Sequence, residues 1–268
     1  MIKIALITMY NPRNTDIINV RRVSEFFDFV VLIDNSSIDS PPTGGYCSVE
    51  NIILVSNFNF GGLSGAFNLA KKVLSFSNFE GRAIITLLDQ DTEISSEVYL
   101  ALEREMKDLP RKCVVGAKFA DRNFVGNTVE RKTVDCLPTS TATMWLEDFL
   151  IADAHNEDFP VDLADFVWCW KNAASNQFCF TRLEHVLVKQ SLGLKRFYLL
   201  GREISLPSPF RHEHQMRAVR RLWTLNYVSK ITKIKFTLKA LLKLLVYPII
   251  FRDGRERFLY MARGLICR

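Results

Sequence analysis

The apolar run Ala83-Ile84-Ile85-Thr86-Leu87-Leu88 stops abruptly at Asp89-Gln90-Asp91. A buried strand that ends in two carboxylates one residue apart delivers acidic oxygens to the carboxyl edge of a sheet, where open α/β folds bind their ligands. Two further runs repeat the pattern. Ile2-Lys3-Ile4-Ala5-Leu6-Ile7-Thr8 leads into Met9-Tyr10-Asn11-Pro12, and Phe29-Val30-Val31-Leu32-Ile33-Asp34 leads into Asn35-Ser36-Ser37. Strands of this kind, joined by helical patterns, predict an α/β chain with a mostly parallel central sheet. One edge of that sheet gathers Thr8, Tyr10, Asp34, Asp89 and Asp91. Carboxylates there suit a hard divalent cation, Mg²⁺ or Mn²⁺, and through it a diphosphate.

The intervening segments fill in the alternation. Ile17, Ile18, Val20, Val23, Phe26 and Phe27 recur at helical spacing and predict a crossover helix over 16–27. A strand is expected at 51–55, helices at 61–76 and 95–109, a further strand at 113–119, and a plain loop at 40–45. Gly61, Gly62 and Gly65 lack the G-x-G-x-x-G spacing and a following Lys-Ser/Thr, which argues against a dinucleotide fingerprint and a P-loop. They serve either tight helix packing or close approach to a nucleotide.

A second constellation is Val161-Asp162-Leu163-Ala164-Asp165-Phe166-Val167-Trp168-Cys169-Trp170-Lys171. A carboxylate among Phe166, Trp168 and Trp170 has its pKa raised and can act as a general base. The same residues also fit the start of an ordinary helix. Trp145, Trp168, Trp170 and Trp223 suit either sugar stacking or a core, and His155 and His185 have no ligand spacing and read as structural.

At 268 residues and 48% hydrophobic content the chain can hold one α/β domain with an appendage. Its six cysteines, at 47, 113, 136, 169, 179 and 267, form no Cys-x-x-Cys pair, which predicts reduced thiols in a cytosolic compartment. The apolar start reads as a first strand and not as a leader. Residues 182–268 carry 19 Lys and Arg against 5 Asp and Glu, whereas the first 181 carry 16 against 24. Lys235, Lys239 and Lys243 recur every fourth residue, with Leu238, Leu241, Leu242 and Leu245 on another side of the same predicted helix. The uncharged run 244–251 contains Pro248 and is far short of the roughly 20 residues needed to span a bilayer. The helix is therefore expected to lie on an anionic membrane surface, to pack its leucines on the rest of the protein, or both. A nucleic-acid partner is disfavoured, because the basic residues alternate with Leu and Ile and not with aromatics suited to base stacking.

Five segments in order resemble glycosyltransferase family 2, in its bacterial rhamnosyltransferase-like branch. They are Thr8-Met9-Tyr10-Asn11-Pro12, Leu32-Ile33-Asp34-Asn35-Ser36-Ser37, Asn59-Phe60-Gly61-Gly62-Leu63-Ser64-Gly65-Ala66-Phe67-Asn68, Leu87-Leu88-Asp89-Gln90-Asp91-Thr92 and Asp165-Phe166-Val167-Trp168-Cys169. The resemblance implies a GT-A nucleotide-binding fold over 1–220, with 221–268 as a basic amphipathic helical extension. It also implies single-displacement, inverting transfer of a hexose, foremost L-rhamnose from dTDP-rhamnose, to a polyprenyl-diphosphate-linked glycan in surface polysaccharide synthesis. Other hexosyl or galactofuranosyl transfer, or a non-catalytic nucleotide-sugar-binding relative, are the alternatives. Carried over by residue, Asp165 is the base, and Asp91 with Asp89 binds the metal. Thr8, Tyr10, Asn11, Asp34, Asn68, Asp89, Arg211 and Arg217 contact the nucleotide sugar. The protein is then expected to be cytoplasmic and peripheral on the inner face of the plasma membrane.

The chain departs from that family pattern at three places. Val167 replaces an acid two residues after Asp165, Gln190 replaces a His, and Leu194 replaces the acid after the Leu-Gly pair. The metal is then held loosely, or His212 or His214 substitutes, or the protein is a divergent member with reduced activity.

Overall fold

The computed structural model describes residues 1–38, 50–77, 79, 82–119, 131–190, 195–199 and 202–266. The loop expected at 40–45, Leu194, Cys47 and Cys267 lie outside the described residues. The chain divides into two compact units, one of Met1–Pro160 with Ala164–Gln190 and one of Val161–Leu163 with Ser191–Arg268.

In the first unit β1 (Ile2–Met9), α1 (Asn14–Ser24), β2 (Phe29–Asp34), β3 (Ile52–Ser56), α2 (Gly62–Ser75) and β4 (Ala83–Asp89) follow the predicted alternation closely. They are followed by β5 (Thr92–Glu93), α3 (Ser96–Asp108), β6 (Cys113–Phe119), β7 (Arg131–Thr133), β8 (Thr143–Trp145), α4 (Leu146–Ile151), α5 (Ala164–Asn176) and β9 (Cys179–Gln190). The strands form a mixed, largely parallel sheet in the order β3-β2-β1-β4-β8-β6-β9-β5, with β7 also on β9. The pairs β2–β3, β1–β2, β1–β4 and β6–β9 are parallel, while β8 runs antiparallel to both β4 and β6.

Period-two alternation within each strand sends side chains to two separate cores. Ile4 and Leu6 of β1 join Phe67 and Leu74 of α2, Phe149 of α4 and Trp168 of α5 on one face. Ala5 and Ile7 join Val20 and Val23 of α1 and Tyr99, Leu102 and Met106 of α3 on the other. Each fully buried aliphatic side chain contributes about 1.5–3 kcal/mol. Two-sided burial is why β1, β2 and β4 read as unbroken apolar runs.

Cys113 of β6 and Cys179 of β9 are register partners, 4.7 Å apart at Cα, and are joined as a disulfide. This corrects the expectation of reduced thiols and removes the argument that placed the chain in a reducing compartment. The two cysteines are 66 residues apart, and only the pairing of two parallel strands brings them together. Cys169 is a buried thiol outside this disulfide.

The second unit holds the hairpin β10 (Lys195–Leu199) and β11 (Arg202–Leu206), then α6 (Pro209–Leu222), α7 (Lys230–Ile250) and α8 (Gly254–Ile266). Met216, Val219, Ala240 and Met261 form its small core, flanked by Phe236, Leu244 and Tyr247. Leu238, Leu241, Leu242 and Leu245 lie on the opposite side of α7 and are exposed, Leu245 by 68%. Among the described residues no helix is long and apolar enough to cross a membrane.

Candidate functional site

Strand order runs outward from β1 to β2 and β3 in one direction and to β4 in the other, so the sheet reverses between β1 and β4. Crevices at the carboxyl ends of strands beside such a reversal are where α/β sheets bind ligands. Register fixes what stands there. Thr8 of β1 is the partner of Asp89 of β4, and Met9 is the partner of Asp34 of β2. The structure thus brings Thr8, Tyr10, Asp34, Asp89 and Asp91 to one edge, as the strand ends predict.

Gln90, between the two aspartates, ties this edge together. Its Oε1 accepts the Tyr10 N–H at 2.6 Å, and its amide donates to the Tyr10 carbonyl at 3.3 Å and to Asp16 Oδ2 at 3.2 Å. Asp16 is buried at the third position of α1, where its Oδ2 also accepts the Arg13 N–H at 2.8 Å. Asn19 donates to the carbonyls of Gln90 at 3.0 Å and Thr92 at 2.9 Å. The first turn of α1 therefore sets the path of the Asp89–Asp91 turn. Arg13 is largely exposed; its hydrogen bond to Asp16, supplemented by attraction to Asp91, raises its pKa above the ordinary arginine value. Sequence reasoning missed Arg13, Asp16, Asn19 and Gln90, although Gln90 stood inside the tripeptide.

Around Asp34 the contacts are local. Its Oδ1 accepts the Ser36 N–H at 2.8 Å, and Ser36 Oγ accepts the Asn11 N–H at 2.8 Å. Asn11 has φ +44°, a left-handed conformation that Asn tolerates. Tyr10 is 53% exposed and so is open to a ligand.

On the other side of β4, Thr139, Ser140 and Thr141 are buried. Thr141 donates its N–H to the Leu87 carbonyl at 2.7 Å, and Ser140 Oγ accepts the Asp89 N–H at 3.4 Å and contacts the Thr92 hydroxyl. Thr141 has φ +74°, costly for a β-branched residue, and strain of that kind is kept where surrounding contacts over-determine it. The run of hydroxyls after Pro138 is the feature of the sequence that signals these contacts.

Asp165 stands in the first turn of α5, with its Oδ1 accepting the Phe166 N–H at 2.9 Å. It lines a cavity of about 10 Å³ with Leu87, Thr139, Ala142 and Trp168. That is the threshold for one water-sized atom. The cavity joins Asp165 to the residues flanking β4. Two residues on, Val167 is buried, so the acid of the family pattern is a core residue here.

Other expected residues fall into packing. Asn68 donates to the His155 carbonyl at 3.0 Å and to Glu157 Oε1 at 2.9 Å, and accepts the His155 N–H at 2.8 Å. Its amide is engaged with the 155–157 segment. The His155 ring stacks between Phe67 and Trp168 at 4.7 and 5.3 Å, and burial, with Lys71 and Lys171 nearby, pushes its pKa down to about 3. A Cβ on Gly62 would meet the Pro160 carbonyl oxygen at 2.4 Å, and one on Gly65 would meet that of Phe60 at 1.9 Å. Since the Leu63 N–H donates to Pro160 O at 2.6 Å, these glycines permit tight chain packing at the start of α2.

In β9, Gln190 is the register partner of Thr92, next to Asp91, so the position where the family carries a His does lie beside the acidic turn. Among the described residues no three His, Cys, Asp or Glu side chains gather into a metal site. Mg²⁺ and its like are commonly held by one or two carboxylates plus substrate phosphates, and Asp89 with Asp91 fits a cation that arrives with a diphosphate.

Arg211 and Arg217 belong to the second unit. Arg211 pairs with Asp162 at 3.2 Å and Arg217 with Glu213 at 2.6 Å. His212 is fully buried, with Nε2 2.8 Å from Arg257 and Nδ1 3.3 Å from Gln215. Burial drives its pKa down to about 4. Both ring nitrogens are thus engaged within the second unit. Burial also lowers the pKa of His214, whose Nδ1 has no hydrogen-bond partner.

No family model matches the chain, and no curated protein matches it by sequence. Its fold is similar to that of GalNAc-T7 in a crystal structure with UDP, GalNAc and Mn²⁺, at TM-score 0.55 and 11% identity, covering 89% of this chain and 54% of that one. The chain thus spans about half the length of that protein. It is also similar to S. aureus TarS 1-349, at TM-score 0.50 and 14% identity, covering 99% of this chain and 80% of that one. These likenesses concern the fold: a GT-A-like α/β architecture with a mixed, largely parallel sheet and C-terminal helices.

Proposed function

We propose that the chain is an inverting glycosyltransferase that moves a hexose from a nucleoside diphosphate sugar to a hydroxyl of a polyprenyl-diphosphate-linked glycan. The observation that carries this reading is the pairing of Thr8 to Tyr10 with Asp89 to Asp91 across the reversal between β1 and β4. A GT-A-like fold, shared with a protein crystallised with UDP, GalNAc and Mn²⁺, supports it. L-Rhamnose from dTDP-rhamnose is the specific donor we assign, on the five segments that resemble the rhamnosyltransferase-like branch.

In the reaction the acceptor hydroxyl oxygen attacks the anomeric carbon from the face opposite the diphosphate. The new C–O bond forms as the bond to the diphosphate breaks, and the departing oxygen keeps the electron pair. Asp165 takes the hydroxyl proton. Its neighbouring cavity admits one water-sized atom, so the acceptor ring approaches from outside and presents only its oxygen. Tyr10 and Asp34 bind the nucleoside, Thr8 and Asn11 shape the edge beside it, and Arg13 offers positive charge next to Asp91. Asp89 and Asp91 would hold Mg²⁺ or Mn²⁺, which when bound draws charge from the leaving diphosphate. Arg211 and Arg217 are left out of this scheme, because each is ion-paired within the second unit. The exposed leucines and lysines of α7 suit peripheral attachment to an anionic membrane surface, where a lipid-linked acceptor is presented.

The purified chain incubated with a panel of nucleotide sugars and lipid-linked acceptors tests the reading. A glycosylated lipid product from one donor is expected. Binding of a nucleotide sugar with no turnover on any acceptor would instead favour the non-catalytic relative.

A further inference from the structure

The second unit contains a cleft of about 260 Å³ lined from α6 and α7. This lies near the lower end of small-molecule sites, about 300–1,000 Å³. Met216, Val219 and Phe236 make it predominantly apolar; its charged groups are Asp162, Lys239 and Lys243, and Gln215 adds an amide. Asp162 is nearly buried. Its Oδ1 pairs with Arg211 at 3.2 Å, while its Oδ2 is buried without a hydrogen-bond partner. A buried acceptor left unmatched is costly unless a ligand supplies the donor. Lys243 donates to Gln215 Oε1 at 3.0 Å, and its ammonium has capacity for two further bonds. Burial lowers its pKa, a penalty that a bound anion would offset. With Asp162 already neutralised by Arg211, the two lysines leave the cleft with surplus positive charge. Leu163, which carries the chain past Asp162, has φ +65°, a left-handed conformation unusual for a branched side chain.

A ligand that satisfies this set has an apolar stem, a single phosphodiester anion and a hydroxyl donor. The same helix that supplies both lysines exposes Leu238, Leu241 and Leu242, so the cleft belongs to an element suited to a lipid surface. We propose that the cleft is a headgroup site for an anionic phospholipid whose phosphodiester bears a hydroxylated head, as in phosphatidylglycerol. Lys239 and Lys243 bind the phosphodiester, Asp162 Oδ2 accepts the head hydroxyl, and Met216, Val219 and Phe236 pack the glyceride stem. This goes beyond general attraction to a charged surface, and it is independent of glycosyl transfer.

The test is co-sedimentation of the full chain with phosphatidylcholine vesicles containing equal mole fractions of either phosphatidylglycerol or phosphatidylethanol, which has the same charge and no head hydroxyl. Binding to the phosphatidylglycerol vesicles is expected to be about tenfold tighter, the value of one hydrogen bond to a charged acceptor. Asp162→Asn should abolish the preference, and Lys243→Gln should weaken binding to both lipids more than Lys235→Gln, a change on α7 outside the cleft. Thermal shift with dihexanoyl-phosphatidylglycerol, glycerol phosphate and inorganic phosphate reads the site without a membrane, and only the first should stabilise the wild type. Equal binding to the two vesicle types, or an equal shift with inorganic phosphate, would overturn the proposal in favour of surface charge alone or a soluble-phosphate site.

Discussion

Replacing Gln90 with Ala removes the residue that joins the two halves of the sheet edge while leaving both aspartates in the chain. Three hydrogen bonds disappear, to the Tyr10 N–H, the Tyr10 carbonyl and Asp16 Oδ2. The two neutral bonds lie near the surface and contribute about 0.5–1 kcal/mol each, and the one to the buried Asp16 carboxylate about 1.5 kcal/mol. A loss of about 2.5–3.5 kcal/mol follows, which at about 2 °C per kcal/mol for a chain of this size lowers Tm by roughly 5–7 °C. Gln90→Glu makes a sharper test. It keeps an acceptor for the Tyr10 N–H, loses both donated bonds, and sets a third carboxylate beside Asp89 and Asp91 and against Asp16. At neutral pH it should therefore be less stable than Gln90→Ala, and the gap should close as pH falls through the carboxylate range. Urea unfolding followed by tryptophan fluorescence gives the stabilities, and calorimetric titration with a nucleoside diphosphate and Mn²⁺ gives the effect on the site. Wild-type stability and wild-type nucleotide affinity for Gln90→Ala, or a Gln90→Glu chain more stable than Gln90→Ala at pH 7, would refute the reasoning.

Asp91→Ala should abolish most transfer while leaving the unfolding midpoint near wild type, and a chelator should reproduce the loss; full turnover in excess chelator would exclude a cation at Asp89 and Asp91. Asp165→Asn keeps the hydrogen bond to the Phe166 N–H but cannot take a proton, so transfer should fall by about two to four orders of magnitude with donor affinity unchanged. A fall in donor affinity instead would make Asp165 a donor contact. His155, with its pKa pushed down to about 3 in the fold and an ordinary value near 6.5 when unfolded, makes stability present above pH 6.5 and progressively lost on acidification toward pH 3, by about 1.4 kcal/mol per pH unit. His155→Phe, which keeps the stack with Phe67 and Trp168, should flatten that limb in pH-dependent unfolding, leaving the smaller window that His212 sets down to about 4. Thiol titration of denatured protein should count at least two more thiols after reduction than before, and Cys113→Ser should cost about 4 kcal/mol for a closed loop of 66 residues. Equal counts would mean that Cys113 and Cys179 are not joined.

What the sequence determines by itself is everything carried by short-range periodicity. The apolar runs of β1, β2, β4 and β6 and the 3.6-residue spacing of α1, α2 and α3 mark out the α/β architecture. Because a parallel sheet aligns its carboxyl ends, the acids after those runs also mark the edge where Asp34, Asp89 and Asp91 meet. The basic and apolar sides of α7 were legible for the same reason. Tertiary structure decided what depends on register between distant segments. The three residues of β8 and the two of β5 are too short for a periodic signal, and they exist as strands only through β4, β6 and β9. Register alone pairs Cys113 with Cys179, sets Gln190 against Thr92, and places the Ser140 hydroxyl on the Asp89 amide. Gln90 could be read only as a spacer between two acids until the fold carried Tyr10 and Asp16 to it. Likewise the glycines at the start of α2 suit either tight packing or close approach to a nucleotide by sequence, and the return of the 155–160 segment engages them and Asn68 in packing. A side chain's partners are set by which distant surfaces burial brings into contact, and local sequence does not contain that information.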